Sequence, residues 1–263
     1  MTKKIRNIII WSIIVLYLVL VLVFVSSRYN KIQCNDIQVE ILDSATNRLV
    51  QKDDVIRLIY EYSDGDVIGY SFKNINTQQL ETKLNNHPYF EHAEVFKTIK
   101  GILEVKITQR TPIIRVFTDT NQSFYIDKNG YIMPVSVNYS SYEIVATGNI
   151  KLSFNLDSIK KLNNINEFKE TNTILFDLFT LSKYIKDDPF YLSQIVQIFI
   201  NEDNEFELIP RVGEQIIYFG SIENYEEKFI NLKEFYKNGI NRTGWNKYKS
   251  INLKYKNQIV CAY

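Results

Sequence analysis

The chain of 263 residues is long enough for one or two domains with accessory segments, and 45% hydrophobic residues suffice for a buried core. The net charge of +1 is unevenly placed: the first 28 residues carry four basic and no acidic groups, whereas residues 29–263 carry a net charge of −3. With so little net charge, residues 29–263 show no sign of the clustered lysine and arginine that binding of duplex nucleic acid needs. The hydrophobic content of the chain excludes wholesale disorder.

An uncharged apolar run of eighteen residues, Ile8–Val25, opens the chain. As a helix rising about 1.5 Å per residue, this run and its flanks can cross a bilayer core, with Trp11 near one interface. No cleavage site of the A-x-A kind follows the run, which argues for an uncleaved anchor over a signal peptide. We assign residues 1–7 to a cytoplasmic tail and residues 8–27 to a transmembrane helix.

The orientation of this anchor is predicted from the charges beside it. Lys3, Lys4 and Arg6 lie in the short tail, whereas Arg28 and Lys31 on the other flank are soon offset by acidic residues. The positive-inside rule therefore places the tail in the cytoplasm and the rest of the chain outside it. No second apolar run of comparable length follows, so we expect a single-pass protein.

Residues 36–110 show the pattern of a compact α+β module. Apolar residues alternate in its strands and recur at helical spacing in its helices. The predicted elements are a strand over Asp36–Leu42, a helix over Asp53–Tyr62, a second helix after the capping-box spacing of Asn76–Gln79, and strands over Ala93–Thr98 and Ile102–Thr108. The order β-α-α-β-β predicts two helices packed on one sheet.

Residues 111–263 are mostly β in pattern, which predicts a mixed or antiparallel sheet with flanking helices. Asn129-Gly130 between apolar runs signals a hairpin, and Thr173–Lys186 has helical spacing. The last stretch, Lys249–Tyr263, places its apolar residues at odd positions, so we predict one strand with a bend at Lys256-Asn257.

The residues that carry chemistry are few. Cys34 and Cys261 form no C-x-x-C pair, so a zinc site is not expected, and their pairing in a disulfide stays open because it requires Cα atoms within about 7 Å. His87 and His92 do not share a helical face. P-loop, dinucleotide-binding and G-x-S-x-G motifs do not occur in the sequence, so these residues indicate no nucleotide site and no nucleophile elbow, and we expect no cofactor or metal.

Three stretches carry a resemblance to a known family. They are Gly101–Pro112, Phe124–Gly130 followed by Met133-Pro134, and Ile251–Tyr255. In this order behind one anchor, the chain resembles the FtsQ/DivIB family of bacterial cell-division proteins. The resemblance covers essentially the whole chain and implies a polypeptide-transport-associated (POTRA) domain over residues 36–110 and a β domain over residues 111–263.

The resemblance also implies a function. Such proteins are non-enzymatic scaffolds at the division septum of the cytoplasmic (inner) membrane, where they bind the small single-pass proteins FtsL and FtsB (DivIC). They connect early division proteins with septal peptidoglycan synthesis, and their POTRA domain and anchor serve contacts with other division proteins. No nucleic acid or small-molecule substrate is implied.

The resemblance places the partner site on the last strand, where the partner adds a strand to the sheet edge. When the chain is aligned with the family's ending, Lys254 matches a basic position and Tyr255 matches the aromatic position after it. Asn257 matches a small polar position, and Tyr263 matches an aromatic position near the end. An edge strand at a chain end suits strand addition on physical grounds as well. Alternatively, Tyr255 belongs to the core with Leu253, and Lys254 protects the edge against aggregation.

Two other classes of function remain as alternatives. The first is a POTRA-type periplasmic chaperone or translocation component, although such proteins usually carry several modules or a membrane barrel. The second is a membrane-anchored envelope enzyme. It is less favoured because the sequence indicates no convergent polar site.

Overall fold

The computed structural model describes residues 3–29, 32–45, 47–63, 65–136, 140–152, 164–170, 172–240, 242, 244–245, 247–256 and 258–263. The chain divides into two compact units, Met1–Gln109 and Arg110–Tyr263. Each unit has a sheet of its own.

The first unit begins with helix α1, Lys3–Tyr29. Its window Asn7–Phe24 has a mean hydropathy of 2.8 and none of its residues is buried. Among the described residues, this is the one helix long and apolar enough to cross a membrane. A helix that is apolar all round and fully exposed fits a lipid environment.

The remainder of the first unit is a three-stranded sheet with two helices. The elements are β1 (Asp36–Ile41), α2 (Lys52–Tyr62), α3 (Thr77–Asn85), β2 (Phe90–Lys97) and β3 (Ile102–Gln109). The strand order is β1-β3-β2, with β1 parallel and β2 antiparallel to β3.

The predicted patterns explain these elements. Strand β3 buries every second residue, including Leu103, Val105 and Ile107, because alternate side chains face the helices. Helix α3 starts at the predicted cap, where Asn76 Oδ1 accepts a hydrogen bond from Gln79 N at 3.0 Å.

The second unit is a nine-stranded mixed sheet with helices. The strands are β4 (Pro112–Phe117), β5 (Ser123–Asp127), β6 (Ile132–Pro134), β7 (Ile144–Gly148), β8 (Ile195–Ile200), β9 (Phe206–Pro210), β10 (Ile216–Gly220), β11 (Ser250–Asn252) and β12 (Val260–Ala262). The described helices are a 3-10 turn over Ile165–Phe168 and the α-helices α4 (Thr173–Asp187), α5 (Pro189–Gln194) and α6 (Tyr225–Phe235). Helix α6 continues as a π-helical turn over Tyr236–Ile240. The strand order is β12-β11-β10-β9-β8-β7-β4-β5-β6.

One hydrophobic core holds the helices on this sheet. Apolar residues of α4, α5 and α6 join strand residues in a single buried cluster that extends to Ile251 and Leu253 near the end of the chain. The mixed α+β architecture confirms the predicted fold class. Helix α5 was not predicted; Pro189, which follows the end of α4, also begins α5, in the first turn where proline is favoured.

Candidate functional site

The C-terminal residues form a hairpin at one edge of the nine-stranded sheet. Strands β11 and β12 pair antiparallel, with Ser250 opposite Ala262, Ile251 opposite Cys261 and Asn252 opposite Val260. On its other side β11 pairs parallel with β10. The prediction of a single strand over Lys249–Tyr263 is therefore wrong, and among the described residues β12 is the outermost strand at this edge of the sheet.

The physical reason for this correction is the polar run between the two strands. Lys254, Tyr255 and Lys256 are exposed and lie in the turn. The odd apolar positions still share a face, because residues directly opposite in an antiparallel pair point to the same side of the sheet. Odd Ile251 lies opposite odd Cys261, so the period of two survives the reversal of the chain.

The backbone of β12 offers hydrogen-bonding groups at the edge. On either side of β11, Lys249 O accepts from Ile216 N at 3.0 Å and Leu253 N donates to Tyr218 O at 2.9 Å, so the main-chain groups of Ile251 between them face β10. Lys249 N donates to Ala262 O at 2.9 Å, so the C=O group of Ala262 points toward the start of β11. The main-chain N–H and C=O groups of Ser250 and Asn252 therefore point toward β12. Those of the residues opposite them, Ala262 and Val260, point toward β11. The N–H and C=O groups of Cys261 consequently point away from β11, toward the open edge.

Lys254 lies in the turn and is held by an ion pair. Its Nζ donates to Glu205 Oε2 at 2.6 Å, and a Cβ at position 220 would lie 2.9 Å from Lys254 Cγ, so its stem covers Gly220. The hydrogen bond with the Glu205 carboxylate raises the pKa of Lys254. A carboxylate of a binding partner would have to compete with Glu205 for this ammonium group.

Tyr255 and Tyr263 are both exposed, but at different ends of the hairpin. Tyr255 lies in the turn, so the alternative that it packs in the core with Leu253 is wrong. Tyr263 follows β12 at the other end, separated from the turn by the strand. The hairpin thus brings Lys254 and Tyr255 together, and places Tyr263 apart from them. The fourth predicted residue, Asn257, lies outside the described residues.

An aromatic platform, consisting of Phe235, Tyr248 and Tyr263, adjoins the end of β12. The ring centroids of Tyr248 and Tyr263 are 5.4 Å apart, and those of Phe235 and Tyr248 are 6.1 Å apart. The ammonium of Lys247 lies 5.7 Å from the ring centroids of both Tyr248 and Tyr263. Tyrosine and aromatic clusters are enriched at protein interfaces because they offer large area with a polar tip.

The sequence-based site missed the residues that only the hairpin brings to the edge: Phe235, Lys247, Tyr248, Val260 and Cys261. The sequence offered one signal for the hairpin, the polar run around Lys256, because such a run marks a turn.

Other reactive groups belong to the packing of the fold. Cys34 and Cys261 are free thiols, and burial raises the pKa of each. Burial also lowers the pKa of His87 to about 4, and its ring lies 4.6 Å from that of Phe90. Within the described part of the chain, no group of three or more histidine, cysteine or carboxylate side chains could hold a metal ion.

Comparison with protein families matches both parts of the chain. Residues 111–262 match the family described as FtsQ/DivIB, C-terminal related, and residues 32–108 match the POTRA-like domain. The comparison with curated proteins found no match.

The match to the FtsQ/DivIB family covers more than half of the chain and includes the whole hairpin. The N-terminal apolar helix fits a single-pass membrane protein. The chain therefore belongs to the FtsQ/DivIB family of bacterial cell-division proteins, whose members act as scaffolds of the division machinery.

Proposed function

We propose that this protein is a non-enzymatic scaffold of the division septum that binds FtsL-like and FtsB (DivIC)-like proteins by strand addition to β12. The observation that carries the proposal is the position of β12, which pairs with β11 on one side and ends the nine-stranded sheet on the other. An edge of this kind accepts an added strand through main-chain hydrogen bonds.

The surroundings of β12 support a specific partner. The N–H and C=O groups of Cys261 point outward, while Cys261 itself packs against the core and so holds the strand in place. The aromatic platform lies at one end of the strand, and Lys254 and Tyr255 lie at the turn. Main-chain bonds along β12 would give affinity, and these side chains at its two ends would select the partner.

The test is binding of the full chain, in detergent, to the extracytoplasmic segments of the cognate FtsL-like and FtsB-like proteins. Deletion of residues 258–263 removes β12 but keeps the buried Ile251 and Leu253. We expect this deletion to abolish binding without changing membrane insertion. Normal affinity in a folded deletion variant would contradict strand addition and move the site elsewhere, most readily to the POTRA domain.

A pair of substitutions at one position sharpens this test. Cys261→Pro removes an N–H that points outward, whereas Cys261→Ala keeps it. We expect the proline variant to bind at least about tenfold more weakly than the alanine variant, since one main-chain hydrogen bond and the close approach of the partner are lost. Equal affinities would show that this N–H takes no part in binding.

Depletion in cells separates this proposal from its alternatives. Filamentous cells with unpinched septa are expected for a division scaffold. Loss of outer-membrane proteins without filamentation would instead indicate the POTRA-type chaperone or translocation component, and a hydrolytic or transferase activity of the purified protein would indicate an envelope enzyme.

A further inference from the structure

Three segments meet at the end of the POTRA domain where the chain enters it. Asn35 N donates to Gly101 O at 2.7 Å, which joins the start of β1 to the β2–β3 turn. Gly69 N donates to Cys34 O at 2.7 Å and Phe72 N to Ile32 O at 2.9 Å, which joins the α2–α3 loop to the same place. Since β1 and β3 are parallel, both strands begin at this end, and Gln109 leaves from the opposite end.

The length of the chain keeps this end close to the membrane anchor. Helix α1 ends at Tyr29, and Ile32 already pairs with the α2–α3 loop. Three residues span at most about 11 Å even when fully extended. The apolar window ends at Phe24, so about five helical residues, or roughly 8 Å, separate the hydrocarbon boundary from Tyr29. This end of the domain is therefore within reach of the lipid headgroups.

The same end exposes large apolar side chains. Ile99, at the tip of the β2–β3 turn, is 81% exposed, more than any aliphatic side chain described in the anchor. Ile68 and Tyr70 in the α2–α3 loop are about half exposed. None of the three packs into the core of the domain, so the fold does not account for their apolar character. Isoleucine and tyrosine are side chains that a membrane interface accepts.

Basic residues surround these apolar side chains. Lys100 follows Ile99 directly and is exposed, Lys97 precedes the turn, and Lys73 lies in the α2–α3 loop three positions after Tyr70. Lys97 Nζ donates to Phe72 O at 2.6 Å and so ties the turn to the loop. Asp36 and Asp66 are the acidic residues described in these segments. Lysines beside apolar side chains suit a surface that contains anionic phospholipid.

We propose that Ile68, Tyr70, Ile99 and Lys100 form a membrane-proximal surface that docks on anionic phospholipid of the bilayer crossed by α1. The apolar side chains enter the interface, and Lys100 lies at the level of the phosphates. Docking would hold the POTRA domain upright on the bilayer. Strand β3 has eight residues and spans about 23 Å, so Gln109 at its end lies about that far from the membrane-proximal end of the domain. The proposal is independent of strand addition at β12.

The test uses the full chain in nanodiscs that contain phosphatidylglycerol. An environment-sensitive fluorophore is attached at Ile99→Cys in a Cys261→Ser background, with the buried Cys34 left in place. The matched control is Leu42→Cys, because Leu42 is also an exposed aliphatic residue, at 59%, and follows β1 at the opposite end of the domain. We expect nitroxide-labelled lipids to quench the probe at position 99 several-fold more strongly than the probe at position 42. Equal quenching at the two positions would overturn the proposal.

The charge requirement is tested with Lys100→Gln in the Ile99→Cys chain. Removal of one positive charge near an anionic surface is expected to lower the ratio of docked to undocked domain about fivefold. The same substitution in nanodiscs of phosphatidylcholine alone should have little effect. An unchanged ratio in phosphatidylglycerol would show that anionic lipid is not what this surface recognises. Because Leu42, Ile99 and Lys100 are exposed, these substitutions should leave thermal unfolding unchanged relative to the Cys261→Ser background, which verifies that each variant is folded.

Discussion

At the scale of single residues, one buried ion pair joins two of the stretches on which the family resemblance depends. Arg110 Nη1 donates to Asp127 Oδ2 at 2.9 Å, and the guanidinium lies 4.1 Å from the ring centroid of Tyr131. Asp127 Oδ1 accepts from the N–H groups of Asn129 and Tyr131 at 2.9 and 2.7 Å. Burial raises the pKa of Asp127, and the N–H group of Tyr131 and the Arg110 guanidinium oppose this rise. The pair thus anchors the β5–β6 turn to the start of the second unit.

Loss of Arg110 should be costly. Arg110→Met leaves the fully buried Asp127 carboxylate without its cation, so we expect the free energy of unfolding to fall by about 3–5 kcal/mol. The matched control is Arg57→Met, because Arg57 pairs with Asp54 on the surface and its loss should cost less than about 1 kcal/mol. Urea unfolding of the detergent-solubilised chain measures both. Similar losses for the two variants would contradict a structural role for the buried pair.

At the scale of elements, the two strands of the C-terminal hairpin have different roles. Strand β11 lies inside the sheet and contributes Ile251 to the core, whereas β12 ends the sheet and exposes Val260. Stability therefore depends on the first strand, and partner binding is proposed for the second. A truncation of the whole stretch 249–263 would mix the two effects, because it removes core residues together with the edge.

Single substitutions should separate these roles. Ile251 is 0% exposed, so Ile251→Ala should lower the free energy of unfolding by about 2–5 kcal/mol through the cavity it leaves. Val260 is 44% exposed, so Val260→Ala should change it by less than about 0.5 kcal/mol. Thermal unfolding of the two variants provides the comparison. A large loss at Val260, or none at Ile251, would show that the hairpin is paired differently.

At the scale of the whole molecule, the chain combines an apolar helix with two compact units of different sheet architecture. Membership of the FtsQ/DivIB family and the apolar helix fit a single-pass protein of the division machinery. The cytoplasmic position of the tail is a proposal that depends on Lys3, Lys4 and Arg6.

This orientation can be measured in spheroplasts. With a tag ahead of the tail, protease added outside should digest both folded units and leave the tag attached to a short membrane fragment. Replacement of Lys3, Lys4 and Arg6 by glutamate should increase the protected, inverted fraction, because it removes the positive charges that retain the tail. A wild-type chain that is fully protected from external protease would contradict the proposed orientation.

Much of the fold was predictable because local patterns and tertiary packing agree. The alternation in β3, the helical stripe of α4 and the Asn76 cap each demand the element that is present. Helix α5 was missed because it is only one turn and a half long, so too few residues show a period. The hairpin was predicted as one strand because its apolar residues keep the same period of two before and after the chain reverses direction.

The candidate site was predictable in part. Its segment follows from the resemblance, but the arrangement within the segment does not. Lys254 was selected because it matches a basic residue in the family's ending, but no local pattern shows that it pairs with Glu205, which lies 49 positions earlier in the chain. The platform of Phe235, Tyr248 and Tyr263 likewise joins residues from separate elements, and no local pattern marks such a contact.

The sequence by itself determined the apolar N-terminal helix, the order of the two folded parts, the alternation of their strands and the family. These features follow from composition and short-range periodicity, which the burial of apolar side chains enforces at every position. Only the tertiary structure decided which strand ends the sheet, which main-chain groups face outward, and that Ile99 shares one end of the POTRA domain with the entry of the chain. These features depend on hydrogen bonds between residues distant in sequence, and long-range pairing leaves no trace in local patterning.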